Sequence, residues 1–166
     1  MSLTKLSYVV VLAGSILWCA GIVIAPYLAS TIGFTHDSGV ALYRFYATIC
    51  HQIDSRSFHL HGEPFAVCAR CSSIYFGFLA GTIIFPLSER VLAKRISPRT
   101  LLLVAFLPML VDVVLSLLGL HSSTLATRGM TGGFFGLTIP LLIIPSATAA
   151  LKEIFSSHSS VHFQKG

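Results

Sequence analysis

Residues 7–29 read SYVVVLAGSILWCAGIVIAPYLA, with no Asp, Glu, Lys or Arg, and the charge-free run around them extends from Leu6 to Thr35. About 20 apolar residues suffice for a helix to cross the hydrocarbon core of a bilayer. The stretch therefore predicts a transmembrane helix, and it turns the rest of the chain into a search for others. Three further windows qualify: 68–87; 100–120, apolar except for Asp112; and 129–151, where Pro140 and Pro145 introduce kinks whose freed carbonyls must find other partners. The predicted fold is all-α: a polytopic membrane protein of four transmembrane helices, forming a single membrane domain over 1–166.

Composition leads to the same class. Of 166 residues, 54% are hydrophobic and 10% charged, with a mean hydropathy of +0.82, whereas soluble domains carry about 25% charged residues. A water-soluble globular fold and a disordered chain are excluded. Nucleic acid is excluded as a partner with them, because the net charge of +5 reflects a shortage of acids, only 6 Asp and Glu, and not a dense basic patch. One basic residue, Lys5, precedes the first span, which outlasts the 7–15-residue core of a cleaved signal. It is read as an uncleaved anchor, although Leu28-Ala29-Ser30 resembles a cleavage site.

Lys and Arg accumulate in cytoplasmic loops. With four spans, Lys5, Arg90, Lys94, Arg95, Arg99, Lys152 and Lys165 share one face, against Arg44, Arg56, Arg70 and Arg128 on the other. Both termini are accordingly predicted to be cytoplasmic and the loop 30–67 external. In that loop Leu42, Phe45, Tyr46, Ile49 and Ile53 recur at helical spacing, predicting an amphipathic helix lying on the bilayer or capping the bundle, with Asp37 or Ser38 at its start. Gly62 and Pro64 then break any helix and turn the chain back towards the second span.

The chemistry concentrates in the same loop. Cys50 is followed by His51, and Cys68 and Cys71 form a CxxC pair, whereas Cys19 lies in mid-span and reads as packing. Thiolates and imidazole in a tetrahedral set are the preference of zinc. The predicted metal set is Cys50, His51, Cys68 and Cys71; two adjacent residues can serve one ion only where the helix ends. His59 and His61 are read as solvated loop imidazoles, with His121 a further imidazole on that side. The same cysteines admit two other readings. A CxxC at a helix start, with Arg70 between the sulfurs, suits a thiol-disulfide oxidoreductase, and an external compartment also permits a plain structural disulfide.

A second constellation lies within the membrane. Asp112 is eight residues before Leu120, about 12 Å below the boundary at 1.5 Å per residue, where a carboxylate needs a partner. Arg128 is its expected partner, and Ser116 stands one turn above it on the same face. With Arg56 and Arg70 these residues predict a polar pocket suited to a metal ion, an anionic lipid head group or a quinone-like carrier, while Arg44 reads as an interfacial anchor. Gly129, Gly132, Gly133 and Gly136 form a small-residue stripe that reads as helix packing.

The string Cys50-His51-Gln52, Arg56-Ser57-Phe58, then Cys68-Ala69-Arg70-Cys71 leading into Ile74-Tyr75 and Gly77 resembles a family of small, mostly prokaryotic integral membrane proteins known as a domain of unknown function. The resemblance runs from about Tyr43 to Gly136 and takes in Asp112, Arg128 and Gly132. Ser73 stands where the family pattern usually has glycine. The resemblance implies a protein of the prokaryotic cytoplasmic membrane and supplies no activity.

Overall fold

The structure, a computed structural model, describes residues 3–31, 34–92, 97–120 and 122–163. Lys94, Arg95, His121 and Lys165, used above, lie outside the described residues. Among the described residues six helices follow one another: α1 (Leu3–Ala29), α2 (Phe34–Ala47), α3 (Ala69–Leu92), α4 (Pro98–Leu117), α5 (Leu125–Thr138) and α6 (Pro140–Phe163). Between α2 and α3 lie a single 3-10 turn, Asp54–Arg56, and a two-stranded antiparallel hairpin of β1 (His59–Leu60) and β2 (Glu63–Pro64). The hairpin turn is His61-Gly62, both with positive φ (54° and 85°), the backbone handedness that two-residue hairpin turns require.

Among the described residues, three helical segments are long and apolar enough to cross a membrane: Lys5–Ala29, Ala69–Ser88 and Leu125–Glu153. The last joins α5 and α6. Pro140 has no N–H to donate, so the α-helix yields at Ile139, whose N–H bonds the carbonyl of Gly136 at 3.3 Å, and a new helix starts at the proline. Pro145, by contrast, is accommodated inside α6. The remaining expected span is α4, whose described apolar part is shorter, Leu103–Leu117. Ser97 caps its start by accepting from Thr100 N–H at 3.3 Å, with Pro98 in the first turn. It stops at 117, not 120: Gly119 at φ 70° lets its own N–H reach Ser116 O and that of Leu120 reach Leu115 O, which satisfies two terminal carbonyls.

The exterior of this bundle is apolar. Leu17 is 74% exposed, Leu87 74% and Leu117 81%, which is tolerable only in a hydrocarbon solvent. Inside, α3 packs along α5 more extensively than any other pair of helices. Glycine makes this possible: Gly132 lies against the Arg70 carbonyl, Gly136 against the Ile74 backbone and Gly77 against Gly133. Gly81 likewise lies against Leu137, so the contacts form two rows, 70–132 with 74–136 and 77–133 with 81–137; within each row the paired numbers rise together along both helices, so α3 and α5 run parallel and begin at the same end of the bundle. The amphipathic segment is α2, which starts upstream of Asp37; that residue lies in its first turn, not at its cap. α2 packs on α1 through Gly39 against the Leu28–Ala29 backbone and Tyr46, whose hydroxyl donates to Trp18 O at 2.7 Å. Ile49 and Ile53 fall beyond the helix and are exposed.

Candidate metal centre

The helix α2 ends at Ala47, and a tight turn follows in which the N–H groups of Ile49 and Cys50 both reach Tyr46 O at 3.1 Å. Beyond Cys50 the chain must double back. Gln52 makes the reversal, with φ 50° and a side-chain amide that donates to Tyr43 O at 2.8 Å and Ala66 O at 2.7 Å. Tyr43 adds a second tie, its hydroxyl donating to Pro64 O. Burial beside Glu63 pushes the Tyr43 phenol up to about 12, with desolvation the larger cause.

These ties bring Cys50 against the start of α3. The backbone N–H of Cys68 donates to Cys50 Sγ at 3.2 Å, and the three ligand atoms of Cys50, Cys68 and Cys71 lie within 4.8 Å of one another. In a tetrahedral zinc site with Zn–S of about 2.3 Å the sulfurs stand about 3.8 Å apart, so a contraction of at most about an ångström completes the geometry. The three cysteines are close enough to bind a metal. The Cys68 thiol is held below the ordinary thiol range by hydrogen bonding from the Cys71 thiol, against burial, with the Cys71 and Arg70 backbone N–H groups and the Cys50 thiol adding to it. Cys19 is buried apart from this group, its Sγ 3.4 Å from Tyr75 O.

The histidines are placed differently. His51 is exposed and does not join the cysteine group. Cys50 and His51 lie outside helix, where neighbouring side chains tend to point to opposite sides: Cys50 turns inward, His51 outward and Gln52 inward again. His59 bonds Asp54 Oδ1 at 3.0 Å. His61 sits on the exposed hairpin turn, its ring 6.0 Å from that of Tyr27.

Beside the sulfurs, the intramembrane constellation is wired differently from its expected form. Asp112 forms its ion pair with Arg70, not Arg128. Parallel packing of α3 on α5 sets Arg70 in the first turn of α3 facing α4, while Arg128 turns its Nε to the carbonyl of Ser123 at 3.2 Å. The hydroxyl that reaches Asp112 is that of Ser123, at 3.2 Å, and not Ser116 one turn above it. Arg56 is exposed on the 3-10 turn, yet its charge, with those of Arg70 and Asp112, acts on the Arg128 guanidinium. Ser123 is the site residue that the sequence does not single out, and Gln52 and Tyr43, named there only with the family string, acquire their roles from the structure.

Apolar spanning helices with a sulfur cluster at the common start of α3 define a helical membrane protein with a potential metal centre. The chain belongs to the family described as "Predicted membrane protein (DUF2085)", whose profile matches residues 50–142, more than half of its length. It is also 38% identical over 144 residues to the uncharacterized protein MJ1492 of Methanocaldococcus jannaschii, covering 85% of this chain and 92% of that one. No solved structure matches.

Proposed function

We propose that this is a four-span protein of the prokaryotic cytoplasmic membrane, both termini cytoplasmic, that holds a zinc ion on Cys50, Cys68 and Cys71 at the outer ends of its helices. The observation that carries the reading is the convergence of three sulfurs from two distant segments within 4.8 Å. Thiolate donors favour zinc over the hard cations. Three protein donors leave a fourth position for water or substrate, the pattern of a reactive zinc; a closed structural site needs His51 as the fourth donor, which requires its exposed ring to turn inward. Four crossings are supported by the parallel course of α3 and α5, since the chain must return through α4, whose 20 residues reach about 30 Å. The bias of Lys and Arg towards one set of loops supports the orientation.

Metal analysis of the purified full chain with a thiol count is the test. One zinc per chain, with three thiols shielded until a chelator is added, is the expected result. A metal-free protein whose three thiols react at once refutes it. A second reading, thiol-disulfide exchange, is favoured by the adjacency of Cys68 and Cys71 at the start of α3. The dithiol would pass two electrons and two protons to a partner disulfide, closing the Cys68–Cys71 bond and releasing the partner as a dithiol. A metal-free chain in which those two sulfurs cycle between forms supports that reading instead.

A further inference from the structure

The outer end of the α3–α4–α5 bundle carries more positive charge than its own acids absorb. Arg128 is 9% exposed, in the first turn of α5, and feels the charges of Arg70, Arg56 and Asp112. Arg70 pairs with that carboxylate directly and Arg128 meets it through Ser123, whose hydroxyl bonds Asp112 and whose carbonyl takes Arg128 Nε, while Arg56 acts from the exposed 3-10 turn. Asp112 is occupied by Arg70 and Ser123, and Arg70 still keeps a buried Nε without a hydrogen-bond partner. Arg128 spends its Nε on the Ser123 carbonyl, and its terminal nitrogens have no hydrogen-bond partner among the described residues. The parallel helices α3 and α5 also start here together, so the positive ends of both face the same region. The buried donor left over is Arg70 Nε, and a buried donor without a partner is costly unless an acceptor takes it.

A groove of about 580 Å³ opens beside this charge, between α4 and α5. Its polar residues, Asp112, Thr127 and Thr131, lie towards the charged end, and Val111, Leu107 and Val104 continue it down α4 towards the other side of the membrane. From Asp112 to Val104 is about 12 Å at 1.5 Å per residue. A cationic head joined to an apolar slot complements an amphiphile.

We propose that Arg56, Arg70 and Arg128 bind the phosphate of a lipid whose chain lies in the α4–α5 groove. Phosphate is favoured because planar guanidinium forks match its oxygens in pairs, and a lipid is favoured over a free ion because the groove is apolar and leads away from the charge. This site adjoins the sulfur centre through Arg70 but uses none of its sulfurs.

The test reconstitutes the full chain in phosphatidylcholine nanodiscs containing a minor share of phosphatidate of the same chain composition, and measures retained lipid by native mass spectrometry. The wild type should retain phosphatidate about tenfold or more over its share, and Arg56→Gln and Arg128→Gln should each lower that by about tenfold, the worth of one charge-assisted contact. Arg128→Lys should keep most of it. Arg56 is exposed, so its variant tests the idea even if Arg128→Gln misfolds. Leu107→Trp, which fills the groove, should weaken phosphatidate and leave inorganic phosphate unaffected. Absence of enrichment in the wild type, or enrichment in Arg56→Gln and Arg128→Gln that equals the wild type's, overturns the proposal. Inorganic phosphate that displaces phosphatidate at equal concentration overturns the lipid assignment. Metal content measured on the same variants keeps this result distinguishable from failure of the zinc reading.

Discussion

The backbone amide of Cys68 donates to the Sγ of Cys50, 18 residues earlier in sequence, at 3.2 Å. A sulfur that accepts a main-chain hydrogen bond is held in place before any ion arrives. Replacing Cys50, Cys68 or Cys71 singly by Ser should therefore abolish stoichiometric metal binding, whereas Cys19→Ser should leave it intact. Inductively coupled plasma analysis of the four purified variants checks both halves, and retention of metal by all three site variants refutes the assignment.

Gln52 is the brace behind that contact. Its amide satisfies carbonyls from α2 and from the segment before α3, and truncation leaves both without this donor. Gln52→Ala is expected to cost about 1–3 kcal/mol and to weaken metal affinity without touching a ligand. Thermal unfolding in detergent and a chelator competition measure the two effects; unchanged values in both would show the brace to be dispensable.

Tyr43 gives the fold an alkaline limit. Its phenol must stay protonated to donate to Pro64 O, and its folded value lies near 12 against an ordinary 10.0. A group held neutral in the folded state contributes its stability below the unfolded value and loses it as pH rises from about 10 through about 12. Tyr43→Phe should lower stability at pH 8 and flatten the loss between pH 10 and 12. Equal slopes for the two proteins over that window would count against this assignment.

Removing the carboxylate of Asp112 leaves Arg70 without its ion-pair partner. Asp112→Asn is expected to cost about 1–3 kcal/mol, below the figure for a fully sealed pair because the Arg70 side chain is 20% exposed. Ser123→Ala should cost more than Ser116→Ala, which removes no hydrogen bond to Asp112. A denaturation series over these three variants ranks them, and the reverse order for the two serines would contradict the observed wiring.

The glycine seam makes a sharper contrast. A Cβ at Gly136 would collide with the Ile74 carbonyl, while one at Gly14 meets nothing within 4 Å. Gly136→Ala should destabilise by several kcal/mol or prevent accumulation of folded protein. Gly14→Ala should be neutral or mildly stabilising, since alanine is the better helix former. Comparable yields and melting temperatures for the two would argue against parallel packing of α3 on α5.

The reach of the sequence ended where geometry outside helices took over. Charge-free runs locate apolar helices because bilayer thickness fixes their length, and a glycine stripe marks a close helix contact. The three cysteines are recognisable as a set because thiolates cluster for few purposes. His51 was drawn into that set by adjacency to Cys50, yet the two-sided alternation of non-helical chain turns it outward. The choice of Arg70 over Arg128 depended on the rotation of two parallel helices, which no spacing within either helix encodes. Gln52 stands in the family string without a role, because its two carbonyl partners, nine and fourteen residues away, are fixed by the chain reversal and not by spacing.

The seam between α3 and α5 also imposes an order on biogenesis. Arg70 enters the membrane boundary before the ribosome has made Asp112, and α3 meets its main packing surface only after Gly132 and Gly136 have emerged. Until Asp112 follows, the nascent chain carries an unmatched guanidinium at a lipid interface, and until α5 follows it carries a bare glycine ridge. Chains stalled or truncated between α4 and α5 are accordingly the species that a membrane quality-control protease should meet first.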